Sequence, residues 1–313
     1  MADICVIGGT RFFGKFLVDR LIHDGHDVTV LTRGRTPDPF GDAVRRIVAD
    51  ATDADSLAAA VASERFDAVV HQMCYDPRAA AAACEAFGER AGKWVLTSSM
   101  EVYNADTFRW EVPAPPMSAF AREAELDPAA YRYDLDLPWD DPEFAGPNYG
   151  EGKRQAEAAM LDRSVVPLAL ARIAHVLDAR DDFTGRVRFH VERIRSGLPI
   201  TAHASPGRTS LVPAAEAAAF LAWAAVNDVT GAVNAAAPDP VDVHAVCAAF
   251  AQALGREATV VERADPSGDE ALSPYSCPAD FGMNVEAAAA LGFAFTPAAS
   301  WLPEMARAAE KAA

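Results

Sequence analysis

The sequence predicts an α/β protein built on a doubly wound parallel sheet. Three observations carry this. Short apolar segments of strand length alternate with helical segments through the first third of the chain. A glycine-rich turn joins the first strand to the first helix. Hydrophobic residues make up 51% of the 313 positions, enough for a large core, and no apolar run reaches the roughly 18 residues that suggest a membrane span.

In chain order, Ile4 to Ile7 reads as a short buried strand, and Lys15 to His23 as a helix closed by Gly25. Val28 to Thr32 and Arg46 to Val48 follow as strands, then a helix from Ser56 to Ser63. Ala68 to His71, a helix from Arg78 to Ala91 and a strand from Trp94 to Thr97 complete the alternation, which implies a sheet covered on both faces. Residues 104–147 break the rhythm. They are rich in Pro, acidic residues and aromatics (Trp110, Pro113, Tyr131, Tyr133, Trp139), and read as an ordered excursion close to a site. A helix from Tyr149 to about Asp162 and a strand from Leu168 to Ile173 come next. Pro213 to Val226 is a strong helix and Ala232 to Ala235 a further strand, with helices over His244 to Leu254, Val285 to Leu291 and Trp301 to Lys311.

Composition narrows the function classes. The net charge of −17 argues against a general affinity for nucleic acid or anionic membrane. Five widely spaced cysteines without C-x-x-C give neither a disulfide framework nor a zinc site, and a reducing cytoplasm suits them. The histidines show no metal-ligand spacing, so no metal is expected. The N-terminus has no basic region and no cleavage site, and reads as the first strand rather than a signal peptide.

Chemistry concentrates at two places. Gly8-Gly9-Thr10-Arg11-Phe12-Phe13-Gly14 lies between strand and helix, where glycines let the backbone approach a pyrophosphate and the helix N-terminus binds its charge. Tyr149-Gly-Glu-Gly-Lys153 puts a phenol and an ammonium on one helix face, where the cation favours the phenolate and proton transfer. After the second strand, Thr32-Arg33-Gly34-Arg35 offers arginine instead of an acid. That suits the 2′-phosphate of NADP over the 2′-hydroxyl of NAD, so NADP is preferred and NAD remains an option; the other reading leaves Arg33 and Arg35 merely solvated.

On these motifs the chain resembles the extended short-chain dehydrogenase/reductase family, the NAD(P)-dependent sugar epimerase/dehydratase group. The family's G-x-x-G-x-x-G falls on Gly8 and Gly14, with Arg11 in the middle position, as in an atypical branch that includes chloroplast stem-loop RNA-binding proteins. The resemblance implies a Rossmann-type domain over residues 1–175. A mainly substrate-binding domain would follow over 176–313, smaller and with segments returning to the sheet. It places Asp50 and Ala51 beside the adenine, and Gln72 and His175 along the cofactor. Thr97-Ser-Ser-Met-Glu-Val-Tyr103 resembles the family's S-S-x-x-V-Y, putting Ser99 on the catalytic Ser/Thr, with Tyr149 moving the proton and Lys153 holding the nicotinamide ribose. Glu101 occupies the base position of the dehydratases, and a solvated or salt-bridged glutamate is the equal alternative. The resemblance also implies a homodimer through the helices Arg78–Ala91 and Tyr149–Asp162.

The expectation is an NAD(P)-dependent oxidoreductase or epimerase acting on a hydroxyl or keto substrate such as a nucleotide sugar. Two alternatives stand beside it. One is an NADPH-dependent ketoreductase of secondary metabolism whose bulky apolar substrate is enclosed by residues 104–147. The other is a non-enzymatic NADP-sensing or RNA-binding scaffold.

Overall fold

In a computed structural model describing residues 1–109 and 115–312, seven parallel strands form the central sheet. They are β1 (Asp3–Ile7), β2 (Asp27–Thr32), β3 (Arg45–Val48), β4 (Ala68–His71), β5 (Trp94–Ser99), β6 (Leu168–Ile173) and β7 (Gly231–Ala235), in the spatial order β7-β6-β5-β4-β1-β2-β3. Strand order reverses between β1 and β4, which pair through Ile4–Ile7 and Ala68–His71. Such a switch point opens a crevice at the carboxyl ends of the strands, where ligands bind in this architecture.

Successive side chains of a strand point to opposite faces. On one face Ile4 and Val6 pack with Val70 and Val95 against α1 (Phe13–His23) and the later helix Ala214–Val226. On the other, Cys5 and Ile7 pack with Val69 and Leu96 against α2 (Ala54–Val61), α3 (Pro77–Phe87) and α4 (Tyr149–Arg163). A third core, with Leu177, Val191, Phe250, Tyr275 and Trp301, belongs to the second half of the chain. The helix expected over 78–91 ends at Phe87, because Gly88 at φ 48° turns the chain out of it.

The excursion is folded onto the molecule. Phe120–Ala121 pairs with Gly282–Met283, and residues 126–145 lie along α3 and α4. Arg78 donates to the carbonyls of Leu135 and Leu137 and pairs with Asp140. Asp134 N–H donates to Gln155, and the Tyr133 hydroxyl to Asp162. Trp110 and Pro113, counted among the residues of this excursion, lie outside the described residues. Every residue from Gly150 to Met160 is buried by the chain itself.

Candidate active site

Tyr149 opens α4, and two glycines explain how the helix reaches the strand ends. A Cβ at Gly150 would stand 2.6 Å from the Glu101 carbonyl oxygen, and one at Gly152 2.5 Å from that of Tyr75. Glycine inside a helix costs about 1 kcal/mol relative to alanine. Here it lets the loops after β4 and β5 close directly on the helix that carries Tyr149 and Lys153.

Lys153 is buried, and its Nζ donates to the carbonyls of Cys74 at 2.7 Å and Thr97 at 2.9 Å. An ammonium has three donors, so one remains for a ribose hydroxyl. Its Nζ lies 4.7 Å from the Tyr75 ring centroid and 5.8 Å from that of Tyr149. Burial lowers its pKa, while neighbouring Tyr75 works in the opposite direction. The Tyr149 ring keeps 38% of its surface accessible, with its hydroxyl end against Ser99. Burial pushes the phenol up; the Ser99 hydroxyl and the Arg186 charge pull it back, and Glu101 adds to the rise.

The two serines ending β5 are divided by strand alternation. Ser98 donates to Glu157 at 2.5 Å inside a closed network. Ser99 accepts from Glu101 N–H at 3.2 Å and keeps its hydroxyl on the Tyr149 side. Glu101 accepts from the Asn104 amide at 2.9 Å, and its other oxygen has no hydrogen bond among the described residues.

Two fully buried ion pairs anchored on α4 hold this frame, and neither was foreseen from the sequence. Arg172 on β6 pairs with Glu157 at 2.6 Å and donates to the Tyr103 hydroxyl and the carbonyls of Glu123 and Leu126. Arg154 pairs with Glu151 at 2.9 Å, donates to the carbonyls of Glu101, Val102 and Thr107, and stacks 3.7 Å from the Phe108 ring centroid. α4, the end of β5 and the excursion are therefore tied by charge-assisted bonds.

The switch-point crevice fits a dinucleotide. Gly8 and Gly9 sit at φ 102° and 87°, and a Cβ on Gly14 would meet Gly9 Cα at 2.8 Å. No side chain caps the N-terminus of α1; Gly14 and Lys15 N–H donate to the Arg11 and Phe12 carbonyls, and the positive end of the helix dipole still favours a pyrophosphate there. Gln72 is buried beside Gly14 with its Nε2 unpartnered. Arg11 and Thr10 border a cavity of about 540 Å³ next to this loop. Phe12 takes φ 48°, which no other residue of the loop except glycine adopts; its ring meets Phe13 edge-on at 5.4 Å. Asp50 follows β3, where Thr52 holds its carboxylate through both hydroxyl and N–H and lowers its pKa, helped by Arg33 and Arg35. Ala51 packs against the core beside it. His175 lies further along, on the strand His175–Leu177 that pairs with Leu211–Pro213, where desolvation and then Arg186 hold its pKa down to about 3.

Facing Tyr149 from the second half is Arg186, the first residue of the helix Arg186–Ser196. Near it the Tyr275 hydroxyl and Asp182 Oδ2 are buried without a partner. A second cavity, of about 490 Å³, lies between Tyr75, Asp76, Trp139, Asn148 and Tyr149.

The switch-point crevice beside the glycine loop, with Tyr149 and the buried Lys153 next to it, is a Rossmann-type arrangement. Residues 4–121 match the family model described as the NAD dependent epimerase/dehydratase family, in keeping with the resemblance read from the sequence. The chain is 33% identical over 79 residues to the chloroplast stem-loop binding protein of 41 kDa b of Arabidopsis thaliana, a match spanning 21% of each protein. It shares its fold with a UDP-N-acetylglucosamine 4-epimerase from Bacillus cereus, at 19% identity and a TM-score of 0.68 over 99% of this chain and 100% of that one. The Bordetella bronchiseptica enzyme WbmG, solved with NAD and UDP, superposes with a TM-score of 0.69 at 16% identity over 99% and 95% of the two chains.

Proposed function

We propose that the chain is an NAD(P)-dependent oxidoreductase or epimerase acting on a carbinol or carbonyl carbon of a hydroxylated substrate, of the nucleotide-sugar class. The observation that carries this reading is the Tyr149 hydroxyl lying against Ser99, with Lys153 held beneath the ring beside the glycine loop. The nicotinamide, when bound, takes up or returns a hydride. Tyr149 gives or receives the proton of the reacting oxygen, and Ser99 orients that oxygen by a hydrogen bond. Lys153, fixed by two carbonyls, directs its remaining donor to the nicotinamide ribose and favours the phenolate. Arg186 offers a cation to a diphosphate on the substrate side. Glu101, with one oxygen free, is placed to take a proton from carbon beside a carbonyl.

NAD is the cofactor named for WbmG, and NAD is supported here on family grounds. The NADP preference read from Arg33 and Arg35 rests on two exposed guanidinium groups that also sit near Asp50. Affinities for NAD+ and NADP+ measured side by side decide it.

Tyr149→Phe is expected to lower turnover on UDP-sugars by about 10²–10⁴-fold while the melting temperature holds. Full activity in that variant refutes the assignment. Mass spectrometry of nucleotide released on denaturation tests cofactor binding without a substrate. A second reading, a reductase of bulky apolar ketones, is favoured by the aromatic cavity of Tyr75, Trp139 and Tyr149; turnover of nucleotide sugars alone counts against it. An RNA-binding role, suggested by the Arabidopsis relative, is opposed by the net charge of −17.

A further inference from the structure

We propose that residues 178–185 form a latch over the dinucleotide site, and that Asp181 and Phe183 set how fast a bound dinucleotide leaves; this rests on the dinucleotide-binding reading above. The segment runs from the strand His175–Leu177 to the helix starting at Arg186. It is shaped by its own carboxylates: Asp178 accepts from the N–H groups of Arg180 and Asp181, and Asp182 from that of Thr184. It then touches the glycine loop at three points. Asp181 pairs with Lys15 in the first turn of α1 at 2.5 Å. The Phe183 ring meets Phe12 edge-on, with centroids 5.5 Å apart. On the same ring lies the Arg11 guanidinium, 5.7 Å from its centroid.

These contacts close a wall. The cavity of about 540 Å³ beside the glycine loop is bounded by Thr10, Arg11, Phe12 and Lys15 on one side, by Thr36–Pro39 after β2, and by Asp181 and Phe183 on the third. A dinucleotide whose pyrophosphate lies on Gly8–Gly14 is enclosed between α1 and this segment, and leaves only when the segment swings away. Two further features fit a latch. Phe183 is 71% exposed although it stands at the cavity mouth, so a ligand filling the cavity has an apolar ring to cover. Phe12 holds a backbone conformation suited to glycine, and this aims its ring at Phe183. The ion pair is partly exposed at both ends and is screened by salt, so the ring carries the larger share.

The test uses the full chain loaded with NADH. Its dissociation is followed by stopped-flow fluorescence after mixing with excess NAD+, for wild type, Asp181→Asn, Phe183→Ala and the double variant. Both side chains are exposed enough that the fold does not depend on them. The double variant is expected to release NADH at least about tenfold faster, with most of the change from Phe183→Ala. The Asp181→Asn effect is expected to vanish in high salt. A double variant releasing NADH at the wild-type rate overturns the latch. A wild-type chain that binds neither NADH nor NADPH overturns the dinucleotide reading itself, a separate result.

Discussion

Replacing Arg172 by methionine tests whether the buried charges hold the active-site frame. In the wild-type protein Glu157 and Arg172 have side chains with 0% exposure and an N–O separation of 2.6 Å. Removing the guanidinium strands a buried carboxylate, a loss of ~3–5 kcal/mol. It also takes a donor from the carbonyls of Glu123 and Leu126, while the Tyr103 hydroxyl keeps Asn234. Scaling the usual unfolding entropy per residue to this chain length gives roughly 0.7 kcal/mol per degree, so the melting temperature should fall by about 5–8 °C. In the double variant Arg172→Met/Glu157→Gln no charge is stranded, and about half of the loss should return, since the two carbonyls stay without their donor. Differential scanning calorimetry of wild type, both singles and the double closes the cycle. A double variant no more stable than Arg172→Met, or a single within a degree of wild type, refutes the claim that these charges are coupled and desolvated.

Other perturbations follow from the same geometry. Gly152→Ala must push the Tyr75 carbonyl away by the better part of an ångström, disturbing the neighbouring Cys74 carbonyl that holds Lys153. Turnover should drop about 10²-fold, while better helix propensity offsets part of the overpacking and stability changes by about 2 kcal/mol or less; unchanged kinetics would show that the loop yields freely. His71 and His190 are buried and kept neutral by desolvation, with pKa values lowered to about 3 and about 4. The unfolded chain takes up protons near pH 6.5 where the folded one does not, so stability present above that pH is lost as the pH falls toward these values. Each histidine should remove about 1.4 kcal/mol by pH 5.5, and His71→Phe should flatten the acid limb of a melting-temperature profile by one proton. Light scattering tests the homodimer expected from the sequence: with Gly150–Met160 buried within one copy, a dimer mass means that the copies meet on other residues, and a monomer mass refutes the expected pairing.

The sheet was legible because buried parallel strands announce themselves as short apolar runs between helical patterns, and the Gly8–Gly14 turn sits where its chemistry demands. The expectation that Tyr149 and Lys153 share a helix came from their spacing read together with the glycine loop and Ser98-Ser99, and both lie on α4. The helix carrying them was legible as well; the burial of its polar side was not. Gly150, Glu151, Gly152, Arg154, Gln155 and Glu157 have the composition of a solvated face, yet all are buried. Periodicity reports which side of a helix is apolar; it carries no notice that a distant segment will supply carbonyls, a tyrosine and a second arginine to satisfy charges on the other side. The glycines were the one local trace, since two of them just after Tyr149 weaken a helix unless something packs against the bare backbone. What packs there are the loops ending β4 and β5, and on the outside residues 126–145. The excursion that breaks the sequence pattern is therefore what makes the polar helix a buried one. The same covering brings Trp139 to the edge of the cavity that Tyr149 faces.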